Sequence, residues 1–196
     1  LLAAHNHLLA QGLVFTELKK RNQNLKVRTV YNVMNYYAQT PNPQDIHAAS
    51  FGYGHVNDWF LDPLFQGKYP EHMVALYGKH MPKITKEDME IIRIGDKLNA
   101  LGLNYYFSNI VRHTDANDLH FQTVIPKGTV TNGLGWPISV PPTYQEALYE
   151  LLLQIHSKYK DWGLKKIYIA ENGIAGDTTW DKKSKIIPDE MRMYYL

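Results

Sequence analysis

Cysteine is absent from the 196 residues. That excludes a disulfide framework, thiolate metal ligands and a nucleophilic thiol. No Asn-X-Ser/Thr sequon occurs either. The two absences together point to a reducing compartment, and a cytoplasmic location is the expectation. No apolar run approaches the ~20 residues of a membrane span. Charge of one sign is also lacking: the formal net charge is +2, and the longest basic run is Lys19-Lys20-Arg21. Nothing here makes a nucleic-acid footprint. Phe51-Gly52-Tyr53-Gly54 is not a phosphate loop, because the remaining spacing fails and no strand immediately precedes it. The acids near Asp115 and Asp118 miss calcium-loop spacing, with Leu119 where a ligand would be needed. His5-Asn6-His7 cannot chelate one ion on a helix, where i and i+2 face apart.

Aromatics are plentiful, with 14 Tyr and 4 Trp; they suit a sugar-binding cleft as well as an ordinary core. The length allows one sizeable core or part of a larger one. Leu1-Leu2-Ala3-Ala4 reads as the middle of a helix, and the residues after Pro188-Asp189-Glu190 read as a helix just begun. The expectation is a chain cut at both ends, which leaves a signal peptide upstream open.

Residues 1 to about 22 read as a helix with Leu2, Leu9, Leu13 and Leu18 near helical spacing and a basic last turn. Lys26 to Val33 is β-branched and reads as a strand, with Asn32 near its end. Asn42-Pro43-Gln44-Asp45 opens a helix that runs through Ile46, Ala49, Val56 and Phe60. Asp62 to Pro70 reads as a turn-rich connector. A short helix follows to Tyr77, and Thr85-Lys86-Glu87-Asp88 starts another. Ala100 to Tyr106 is a strand. Alternation there points Asn104 and Tyr106 one way and Tyr105 the other. Residues 107–142 lack periodicity and read as a long functional loop holding Trp136, which either pins the loop or offers a ligand platform.

Thr143-Tyr144-Gln145-Glu146 is a capping-box pattern. It opens a helix with Leu148, Leu151, Leu152 and Ile155 on one face and Glu150, Gln154 and Lys158 on the other. Gly163 closes it. Ile167-Tyr168-Ile169-Ala170 then reads as a strand buried on both faces. Glu171 ends that strand, and Asn172-Gly173 turns the chain. A solvated loop glutamate is the plain reading. The alternating helices and strands argue for more, since ligands of parallel α/β sheets bind at the carboxyl ends of strands.

Four segments resemble one family. Ile167-Tyr168-Ile169-Ala170-Glu171-Asn172-Gly173 is similar to the E-N-G signature of glycoside hydrolase family 1, the β-glucosidase family. Gly102-Leu103-Asn104-Tyr105-Tyr106 is similar to its G-x-N-Y-Y strand. Trp59 to Pro70 is similar to its W-x-x-D-P-x-F-x-G-x-Y-P segment, and Gly135-Trp136-Pro137 to its G-W turn. The matches are collinear over nearly the whole chain. The resemblance implies an α/β fold, a partial (β/α)8 barrel incomplete at both ends. Residues 1–196 would form part of a single catalytic domain, from the end of the fourth helix through strands five, six and seven. The T-x-N-E-P motif with the acid/base glutamate would lie before Leu1, and the W-S-x-x-D-N-x-E-W stretch after Leu196.

Family members retain anomeric configuration, with two carboxyls about 5 Å apart across the glycosidic bond. The resemblance implies Glu171 as nucleophile, oriented by the Tyr106 hydroxyl. It implies Asn104, Asn32 and Trp136 at the sugar site, and no metal or organic cofactor. The implied partners are a β-glucoside or oligosaccharide substrate and the remainder of the barrel. Gly135-Trp136-Pro137-Ile138-Ser139 lacks the acid that the 6-phospho branch carries at this turn, which favours unphosphorylated β-glycosides. A 6-phospho-β-glucosidase, a thioglucosidase-like relative with a replaced acid/base, and a non-catalytic carbohydrate-binding remnant of the fold are the alternatives. Intact Glu171 and Tyr106 argue against the last. The 196 residues alone are expected to be inactive and unstable as a monomer, because barrel closure takes eight strands.

Overall fold

The computed structural model describes residues 1–129, 146–173 and 180–187. The Trp136 turn, the Thr143 capping pattern and the helix start after Pro188 lie outside the described residues.

Two sheets organise the chain. The first is parallel, with β1 (Arg28–Asn32), β3 (Ala100–Tyr105) and β6 (Ile167–Asn172) in the order β1-β3-β6. Among the described residues six helices accompany it: α1 (Leu2–Arg21) before β1; α2 (Pro43–Tyr53), α3 (Trp59–Gln66), α4 (Glu71–Tyr77) and α5 (Lys86–Ile92) between β1 and β3; and α6 (Ala147–Tyr159) between β3 and β6. Leu61, Leu64 and Phe65 of α3, Leu101 and Leu103 of β3, and Leu151 and Ile155 of α6 belong to one buried cluster. Among the described residues no helix is long and apolar enough to cross a membrane.

Local chemistry sets several ends as the sequence suggested. Asn42 accepts the Gln44 N–H at the start of α2. Thr85 and Asp88 close a reciprocal capping box on α5. Gly163 takes φ +90° where α6 runs out through a short 3-10 turn. Elsewhere packing overrides local signals. The buried stripe of α1 is His5, Leu8, Gly12 and Phe15, while Leu2 and Leu13 are exposed. Gly12 sets that stripe: a Cβ there would stand 2.2 Å from the Ile91 carbonyl oxygen of α5. Asp62 to Gln66, expected in a connector, lies inside α3 despite Pro63. Its flanking side chains are buried, and that contact area outweighs the proline signal.

Residues 107–129 are not structureless. They hold β4 (Asn109–His113) and β5 (Phe121–Val124), which pair antiparallel. β2 (Tyr36–Ala38) joins β4 in parallel. The three strands form a second sheet that α2 covers, Tyr36 lying where a Cβ on Gly52 would stand. Because β2 follows β1 and β4 follows β3, this sheet grows out of the carboxyl ends of the parallel strands. The expected double burial of β6 also fails: only Ile167 is half-buried and the rest of the strand is exposed. β6 has β3 on one side and is an edge among the described residues.

Candidate active site

Register brings three polar side chains into one row. Asn32 of β1 stands beside Asn104 of β3, and Asn104 stands beside Glu171 of β6. The Asn104 Nδ2 donates to Asn32 Oδ1 at 2.9 Å. The row lies at the carboxyl end of all three strands, on the face opposite the helices. On that face Val30 and Asn32 are exposed, while Thr29 and Tyr31 on the other are buried.

Alternation alone does not put Glu171 there. Ile167 and Ile169 stand beside Leu101 and Leu103, which face the helices. Two residues on, Glu171 would share their side. The pairing shifts between Leu103 and Asn104, so that Ala170 is the additional residue and Glu171 meets Asn104. An added residue in one strand re-aims the side chains after it, a device found next to active sites. The bulge turns Glu171 from the helix face to the open face.

Tyr106 completes the group. Its hydroxyl donates to Glu171 Oε2, and that bond to a carboxylate raises the phenol's pKa. Tyr105 points away: it is buried, and its hydroxyl lies 3.0 Å from Ser108 Oγ. Asn172 ties the strand end down by donating from Nδ2 to the Tyr105 carbonyl at 2.9 Å. Gly173 follows at φ +150°, a backbone state that a side chain would strain. Asn104 Oδ1 is buried and has no hydrogen-bond partner among the described residues. An acceptor left so is uncommon, and a ligand hydroxyl would satisfy it. The structure therefore brings Asn32, Asn104, Tyr106 and Glu171 together; Trp136 lies outside the described residues.

Two asparagines with no sequence signal support this group. Asn35 is buried and donates to the Ala147 carbonyl of α6 at 2.7 Å. Asn57 holds the backbone of Met34. Among the described residues no cluster of three or more His, Asp or Glu could hold a metal ion. His5 is buried with its Nδ1 2.9 Å from the Tyr69 hydroxyl, whereas His7 is exposed.

A second ionisable group sits on the helix side. Lys158 Nζ lies 2.7 Å from Asp58 Oδ1 and 2.8 Å from Asp62 Oδ1, and the Tyr159 hydroxyl donates to Asp62 at 2.6 Å. Burial pushes the Asp58 carboxyl up, with Lys158 opposing it, and raises the Tyr159 phenol strongly. Lys158 is thus no solvated surface residue. It joins α6 to α3 and the turn before it.

Comparison with known proteins gives the family and the fold. Beta-glucosidase A of Acetivibrio thermocellus is 27% identical over 196 residues, covering 98% of this chain and 42% of that protein. A solved family 1 β-glucosidase from Thermotoga maritima superposes with a TM-score of 0.82 at 25% identity, over 98% of this chain and 41% of its own. A β-glucosidase from Exiguobacterium marinum gives 0.79 at 30% identity, over 97% and 42%. The chain thus spans less than half the length of these relatives. The model of glycosyl hydrolase family 1 matches residues 1–196, and the chain belongs to that family.

Proposed function

We propose that the protein is a retaining β-glycosidase, β-glucosidase-like, with Glu171 as its nucleophile. The observation that carries this reading is the bulge at Ala170. It brings Glu171 into one row with Asn104 and Asn32, where the carboxylate accepts the Tyr106 hydroxyl.

The row suits the chemistry. One oxygen of Glu171 attacks the anomeric carbon as the bond to the aglycone oxygen breaks. A second carboxyl, from a part of the barrel this chain does not contain, protonates the departing oxygen. The sugar is then held as an ester of Glu171. Water, deprotonated by that second carboxyl, displaces it with the configuration retained overall. Tyr106 donates to Oε2, which leaves the other oxygen for attack and keeps the carboxylate oriented. Asn32, Asn104 and Trp136 bind sugar: the amides pair with hydroxyls and the indole packs on C–H faces. Unphosphorylated β-glucosides or oligosaccharides are the substrates, since the Trp136 turn lacks an acid. Residues 1–196 are part of a single barrel domain in the cytoplasm, with the rest of the barrel as partner, and no metal, cofactor, nucleic acid or membrane is needed.

The test is covalent trapping in the protein that carries this chain. A 2-fluoro-2-deoxyglucoside should label the peptide containing Glu171. Label on another carboxylate overturns the assignment.

A further inference from the structure

The chain leaving β1 has to hold Asn32 in the row while turning toward β2, and its peptides run out of strand partners there. Val33 still donates to the Asn104 carbonyl at 3.0 Å. Asn35 is held by its side chain to α6 and by its carbonyl to the Asn109 N–H at 2.8 Å. The backbone of Met34, between them, is held by one side chain. Asn57 Oδ1 accepts the Met34 N–H at 3.2 Å, and Asn57 Nδ2 donates to the Met34 carbonyl at 2.8 Å. A single amide satisfies both backbone polar groups of one residue, as a strand neighbour would.

Asn57 reaches that peptide because of a local irregularity. Between α2 and α3 the helix widens to a π-turn over Gly54–Asp58, closed by the Trp59 N–H on the Gly54 carbonyl. Single π-turns inside helices are rare and concentrate at functional sites. Here the turn puts Asn57 against Met34 at 1% exposure, with Asp58 and Asp62 left facing Lys158. The Asn57 amide is neutral and carries no charge into that ion cluster.

We propose that Asn57 is a positioning residue for the sugar site: its clamp on Met34 fixes the turn after β1 and so holds Asn32 against Asn104, in the row that ends at Glu171. This rests on the glycosidase reading. Asn57 does not touch sugar. It acts through Asn32, and therefore on binding of the sugar more than on the carboxylate.

A double-mutant cycle in the complete protein tests this. Asn32→Ala should lower kcat/KM for an aryl β-glucoside by roughly 10- to 100-fold, as for loss of a hydrogen bond in the transition state. Asn57→Ala should lower it about tenfold, mostly through KM, with the 2-fluoro-2-deoxyglucoside still labelling Glu171 fully. Residues acting as one unit are not additive. In the Asn32→Ala background Asn57→Ala should therefore cost no more than about twofold. Losses that multiply, or an Asn57→Ala protein with unchanged kcat/KM, overturn the proposal. If Asn57→Ala does not fold, the cycle is run with Asn57→Asp, which keeps the acceptor for the Met34 N–H and loses the donor to its carbonyl. Failure of the parent reading has a different signature, turnover that survives Glu171→Ala. Whatever the substrate, Asn57→Ala must speed amide exchange at residues 33–36 above the rest of the sheet, and unchanged exchange there overturns the clamp.

Discussion

Two polar groups lie on opposite sides of the parallel sheet. The row of Asn32, Asn104, Glu171 and Tyr106 stands on its open face. The cluster of Asp58, Asp62, Lys158 and Tyr159 sits among the helices. The buried cluster has the stronger perturbation, a carboxyl and a phenol pushed up by burial. At the row the Tyr106 phenol is raised by its bond to Glu171. Perturbed titration marks functional sites on average, but structural ion networks perturb it too. What separates the two is access. The helix-side carboxylates are buried and paired with a lysine. Glu171 is exposed, with the Tyr106 hydroxyl donating to it.

The sharpest way to break this contrast is Glu171→Ala. Turnover in the complete protein should fall by several orders of magnitude, since the covalent path is removed, while the melting temperature stays near wild type. A large loss of stability would mean that the row holds the fold as well.

Lys158→Ala should do the reverse. It leaves two carboxylates against each other in the helix layer, and removing one partner of a buried pair costs roughly 3–5 kcal/mol. Lys158 is 35% exposed along its side chain, so the loss should sit at or below the lower end. Activity of the folded fraction should be unchanged. The pH dependence has a definite sign. Asp58 is raised above its unfolded value, so its contribution to stability is full below the unfolded pKa and is lost as pH rises through the folded one. Without Lys158 the folded value climbs further, and the deficit against wild type should shrink as pH is lowered from 7 toward 4. Melting curves across that range check it; a deficit that grows on acidification contradicts the assignment.

Tyr106→Phe should fall between these in size. It removes one hydrogen bond to a carboxylate, worth about 1.5–3 kcal/mol, or roughly 10- to 150-fold in kcat. Stability should hardly move. A loss as large as that of Glu171→Ala would give Tyr106 a part in the chemistry itself.

The smallest effect belongs to an element outside both groups. Thr85→Ala removes the hydroxyl of the α5 capping box and should cost about 1 kcal/mol with no change in kcat. The Thr85 N–H and hydroxyl hold the Asp88 carboxyl below its usual range. A depressed carboxyl contributes stability above its unfolded pKa that is lost as pH falls through the folded value. The difference between variant and wild type should therefore narrow in acid, which chemical denaturation at pH 7 and below pH 4 would show.

Sequence and structure divide along a physical line. Caps and strand cores were legible because they depend on neighbours along the chain. Asn42 and Thr85 start helices in any context, Gly163 accepts a left-handed turn, and the β-branched and apolar runs at 27–33, 100–106 and 167–170 suit strands. The place of Glu171 at a strand end followed from the same local chemistry. The hairpin β4–β5 had a signal that went unread: Ile110-Val111 and Thr123-Val124 flank the turn residues of 114–118. Other features had no local signal. Whether Glu171 faces the helices or the open side depends on one added residue, Ala170, in a strand whose partner Asn104 lies 67 positions before Glu171 in the chain. Lys158 reads as a surface lysine until α3 brings two aspartates to it, and Asn57 as one polar residue in a helix until a π-turn sets it on Met34. The sequence by itself determined the helix caps, the three strands of the parallel sheet and which carboxylate ends a strand. Only the tertiary structure decided register, the face each polar group takes and its partner, because those choices are made between segments that meet only when the sheet and its helices pack.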